Sequence, residues 1–150
     1  MRMYIWFILG AILFWGAYVP TLHHGQMLLN QGALRGFLCV GVAYFLTAVL
    51  VPLGLLGAGA EPWEWNTKGV AFATVAGVLG AAGALCIILA IKAGGSPIII
   101  APLVFAGAPI INTLISMGWK PPKEMPSPLF FTGLALAALG AYLALRFKPV

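Results

Sequence analysis

Charge is what this chain has least of. Only 7% of its 150 residues are Asp, Glu, Lys or Arg, and Asp is absent altogether. The three acids are Glu61, Glu64 and Glu124. A soluble domain covers its core with polar and charged groups, so this scarcity excludes an ordinary water-soluble fold. The same absences limit the chemistry. Without Asp no residue orients a histidine as in a Ser-His-Asp arrangement, and no G-x-S-x-G elbow occurs, so the chain is expected not to be an enzyme. His23 and His24 form the only histidine pair. Adjacent residues on a helix point about 100° apart, and no Cys or carboxylate lies nearby in sequence, so neither a metal nor another cofactor is expected. Cys39 and Cys86 lie in apolar runs and read as small buried hydrophobes.

Apolar residues make up 62% of the chain, and the mean hydropathy is +1.04. A fold of this size cannot bury so much apolar surface, because surface dominates volume in small domains. The remainder must face a lipid bilayer, where only helices and closed barrels satisfy their own backbone. The apolar runs are continuous and lack the two-residue alternation of a barrel strand. An all-α integral membrane protein with five transmembrane helices is therefore expected. The spans run at about 4–20, 36–57, 69–91, 98–117 and 128–145, within one membrane domain covering 1–150. A polar patch, Thr21 to Gln26, follows the first span. The N-terminal stretch carries Trp6, Trp15 and Pro20 and no clear small-x-small cleavage site, so it reads as a retained span. The expected location is the cell membrane, in multi-pass form.

The net charge of +5 and the pI near 9.6 do not point to nucleic acid. The eight Lys and Arg lie singly at the ends of apolar runs, as membrane-flanking residues do. Alternating spans place Arg2, Lys68, Lys120 and Lys123 on the N-terminal face and Arg35, Lys92, Arg146 and Lys148 on the other. Four against four leaves orientation undetermined by the positive-inside rule. Either something other than loop charge fixes the topology, or the chain inserts both ways and pairs with an inverted copy.

No Asp, Glu, Lys or Arg lies in the middle of a span, which argues against a proton-coupled antiporter. The polar groups at membrane depth are Tyr44, Thr47, Thr74, Asn112, Thr113, Ser116 and Thr132. Asn112-Thr113 is the best polar pair, suited either to a solute or to an interhelical hydrogen bond. Pro52, Pro102 and Pro109 lie inside spans, where each removes a backbone donor and invites a kink. Gly133, Ala137 and Ala141 recur at four-residue spacing in the fifth span, which suits close approach of a second helix.

Ala84-Leu-Cys-Ile-Ile-Leu-Ala-Ile-Lys-Ala-Gly-Gly-Ser-Pro97, at the end of the third span, carries an A-L-x-x-x-x-A-[LI]-[KR]-x-G pattern. In this and the stretches that follow, the chain resembles the drug/metabolite transporter superfamily, in its EamA-like branch. Ile98 to Ser116, with Pro102 and Pro109, resembles the proline-containing fourth span, and Leu134 to Leu145 the small-residue fifth. Trp15-Gly-Ala-Tyr-Val-Pro20 resembles a W-G-x-x-x-P end of the first span. The chain departs from that pattern where Trp119, in place of a glutamate, follows Gly118.

Full-length members have two inverted five-span repeats, so the resemblance implies a half-length transporter that needs a second, inverted copy. It implies transport of a small organic solute or metabolite by alternating access, through a cavity formed by the first, third and fourth spans. Trp15, Tyr18, Asn112 and Thr113 are the expected substrate-binding residues, and Pro102 and Pro109 the residues that shape the fourth helix. The alternative is a structural or accessory subunit that packs against other membrane subunits in a larger complex. Expected partners are the lipid bilayer, a second copy or those subunits, and a small-molecule substrate.

Overall fold

The computed structural model describes residues 3–148. Its regular structure is helical, with no strand among the described residues. Five helices are long and apolar enough to cross a membrane: α1 (Tyr4–Leu28), α2 (Ala33–Gly57), α3 (Thr67–Lys92), α4 (Pro97–Trp119) and α5 (Pro128–Arg146). At 1.5 Å per residue even the 19-residue α5 reaches about 29 Å, close to the ~30 Å hydrocarbon core of a bilayer. The chain is an all-α protein of multi-pass membrane type.

The ends of these helices are written in local chemistry. Asn66 caps α3, its side-chain oxygen accepting from the N–H groups of Lys68 at 3.0 Å and Gly69 at 3.2 Å. At the far end Lys92 sits in the last turn, and Gly94 takes φ 92°, a left-handed conformation that glycine adopts without strain. Ser96-Pro97 and Ser127-Pro128 open α4 and α5, with proline where its missing N–H costs nothing.

α1 outruns its expected span by eight residues, passing through Pro20 to Leu28. Pro20 removes one helical bond, to the carbonyl of Gly16, and an apolar setting offers the neighbouring backbone no better partner than the helix. The polar patch from Thr21 to Gln26 is therefore helical. α1 then closes through Asn30 (φ 52°) and Gln31 (φ 55°), with the Gln31 N–H donating to the Gln26 carbonyl at 2.8 Å.

The prolines act less uniformly than their sequence positions suggest. Pro52 is preceded by one widened turn over Leu46–Leu50. The proline offers no N–H to the Ala48 carbonyl and its ring crowds that oxygen, so the backbone opens there. α4 stays unbroken through Pro102 and Pro109.

The chain folds as two compact units, one of the residues up to Val19 with those from Gly95 onward, the other Pro20–Gly94. In the first, α4 and α5 pack on one another, and Ile100 and Ala141 are buried. In the second, α2 packs on α3, and Gln26, Ala33, Gly36, Ala84, Ile87, Ile88 and Ile91 are buried. All seven lie at the end where α2 begins and α3 finishes. From Gly41 to Gly80 every residue except half-buried Leu56 is exposed. Cys39 and Cys86 correct the sequence expectation: both are free thiols exposed at the surface of the chain, on helices long and apolar enough to cross a membrane.

Candidate functional site

The expected site residues fall in the first unit, on α1 and α4. Trp15 and Tyr18 stand one turn apart on α1, their rings meeting edge to face with centroids 5.5 Å apart. Trp15 also reaches α4, where its ring lies 6.2 Å from that of Phe105. Phe105 is three residues after Pro102 and four before Pro109. α1 thus meets α4 between the two prolines.

Asn112 is seven residues beyond Phe105, on the same face of α4 and about 10 Å further along the helix. It is exposed and makes no hydrogen bond among the described residues. Pro109 leaves the carbonyl of Phe105 without its helical donor, because the N–H that would reach back four residues is missing. One face of α4 therefore carries an aromatic ring, a carbonyl lacking its usual donor and a whole amide, in that order along the helix. Together they offer apolar contact plus donors and acceptors, without formal charge.

Thr113 is less available than its neighbour. Its hydroxyl donates to the Pro109 carbonyl at 2.8 Å, as Thr47 does to Ala43 and Thr132 to Pro128. This return bond to the preceding turn is the usual resort of a helical threonine in an apolar setting. It occupies the proton and leaves only acceptor capacity. Trp15 is brought together with Tyr18 on its own helix and with Phe105 on α4.

Two residues escaped the sequence reading. Phe105 carries a signal that finds it: it lies on the Asn112 face of the fourth span, between two prolines. Gln26 is harder. It is the only buried polar side chain among the described residues, yet in sequence it belongs to a polar patch beyond Pro20.

Set against protein-family models, curated proteins and solved structures, the chain matches none of them.

Proposed function

We propose that this chain is a half-length membrane transporter resembling one repeat of the drug/metabolite transporter superfamily, EamA-like branch. It moves a small organic solute by alternating access and works as a homodimer in the cell membrane, without changing the solute chemically. The observation that carries this reading is Asn112. An amide at membrane depth costs free energy unless it finds a partner, and among the described residues Asn112 has none. About 10 Å back along the same face of α4 lie the Phe105 carbonyl freed by Pro109 and the Trp15–Phe105 ring pair. Aromatic walls with a few uncharged polar groups suit a neutral or amphipathic metabolite. The need for a second copy follows from the resemblance and agrees with the amount of apolar surface the single chain leaves open.

The test is thermal stability of the purified protein against a panel of neutral and amphipathic metabolites. A solute at a hundred times its Kd stabilises the folded state by about 2.7 kcal/mol, which reads as a Tm rise of several degrees. If no metabolite in a broad panel raises the Tm, the structural-subunit reading takes its place.

A further inference from the structure

Gln26 lies two residues before the end of α1, and the solute site makes no use of it. Its side chain is 2% exposed, and its Nε2 donates to the carbonyl of Ile88 on α3 at 3.2 Å. Ile88 is itself 0% exposed. α2 closes on the same side chain through Gly36, where a Cβ would stand 3.2 Å from the Gln26 Cγ. One amide therefore ties the end of α1 to α3, against the start of α2, where the burial of this unit is concentrated. The bond from the Gln31 N–H to the Gln26 carbonyl fixes the backbone from which the side chain springs.

The amide is satisfied on one side only. Its Oε1 is buried and has no hydrogen-bond partner among the described residues. Turning the amide over is no remedy, since it would set two acceptors, Oε1 and the Ile88 carbonyl, against each other. The Ile88 carbonyl does not depend on Gln26 either, because the Lys92 N–H one turn on is its helical donor. A tie meant only for stability would be an apolar side chain or a fully bonded amide. Gln26 is also close to water: it lies 22 residues after Tyr4, about 33 Å along α1, near the edge of the hydrocarbon core.

We propose that Gln26 is a reversible latch on this end of the helices. Its Nε2 bond to Ile88 holds the end of α1 closed, and its stranded Oε1, which water satisfies on opening, keeps the closed state from becoming permanent. That what opens is one mouth of a solute path rests on the transporter reading; the latch itself rests on the Gln26 geometry.

Thiol accessibility tests it without any solute. In nanodiscs, with Cys39→Ser and Cys86→Ser removing the native thiols, Ala84→Cys reports opening. Ala84 is 2% exposed and one turn deeper in the span than Ile88. The probe is a water-soluble maleimide, and Ala93→Cys, exposed in the turn after α3, gives the solvent reference rate. Gln26→Leu and Gln26→Met roughly keep the volume and remove the Ile88 bond together with the stranded oxygen; because an unbonded buried acceptor costs more than one neutral hydrogen bond returns, each should slow labelling of the Ala84→Cys thiol about five-fold, the effect of roughly 1 kcal/mol. Gln26→Ala, which leaves a cavity and no tie, should speed it. A merely structural glutamine gives the opposite sign, with faster labelling in the Leu and Met variants as well. Equal or faster labelling in both those variants overturns the latch and leaves the solute site standing, whereas a failed metabolite panel removes the solute site and leaves the latch.

Discussion

Asn66 and Asn112 are the same residue type used in opposite ways. Asn66 is fully engaged, its oxygen accepting two N–H groups at the start of α3. Asn66→Ala should cost about 1 kcal/mol, the usual value of an N-cap, and lower the Tm by a few degrees. Asn66→Asp should hold or gain stability, because a carboxylate favours the positive end of the helix. Asn112 is exposed and makes no hydrogen bond among the described residues, so Asn112→Leu should leave the Tm of the solute-free protein nearly unchanged or slightly raised. The same variant should weaken solute binding at least about ten-fold, or ~1.4 kcal/mol, seen as loss of the metabolite-induced shift. A fall in the solute-free Tm would mean that the amide bonds another helix, and weight would pass to the structural-subunit reading. Thr113→Val should change binding far less, since its hydroxyl proton is held by the Pro109 carbonyl.

At the scale of the helix, the fifth span supplies a sharper test of assembly. Gly133 and Ala137 lie open at the surface of α5, with no atom near the place a Gly133 Cβ would occupy, while Ala141 is buried within its own chain. The small-residue stripe is thus occupied at one end and vacant at the other. Gly133→Leu or Ala137→Leu should weaken the dimer by about 1–3 kcal/mol through overpacking, with the monomer fold intact. Ala141→Leu should instead lower the Tm of the monomer. Sedimentation in detergent separates the two, and an unchanged dimer population in the first pair would place the seam elsewhere. The spans α3 to α5 were legible because a long apolar run bounded by Asn66, Gly94, Pro97 or Pro128 states both the helix and its ends. The end of α1 was not. Falling hydropathy after Pro20 marks where lipid stops, whereas the backbone keeps its helical bonds until a left-handed residue, Asn30, ends them. Gln26 was hidden by the same step: in sequence it is one of several polar residues, and only the packing of α2 and α3 around it makes it a buried amide. Phe105 was legible in principle from its place on the Asn112 face.

The whole molecule poses the question of orientation. Five candidate spans crossing in alternation would set Lys68, Lys120 and Lys123 on one face and Arg35, Lys92, Arg146 and Lys148 on the other. Arg2, which completes the tie at four each, lies outside the described residues. Orientation follows the excess of Lys and Arg in short loops near the span ends, and here there is no excess. The acids all sit on the N-terminal face but weigh little in that rule. Nothing in the charge pattern then opposes insertion both ways, and under the proposed transporter reading an inverted copy would supply the second repeat. Reporter fusions at the C-terminus should therefore give cytoplasmic and external signals from one population. Phe147→Lys, beside Lys148, adds a positive charge to the C-terminal face and should move the ratio toward the cytoplasmic C-terminus. Lys68→Gln removes one from the opposite face and should move it the same way. The two substitutions act on different helices and share only their effect on the charge difference. Agreement between them would identify charge balance as the cause. A single orientation that ignores both changes would leave only a parallel homodimer or a place among other subunits.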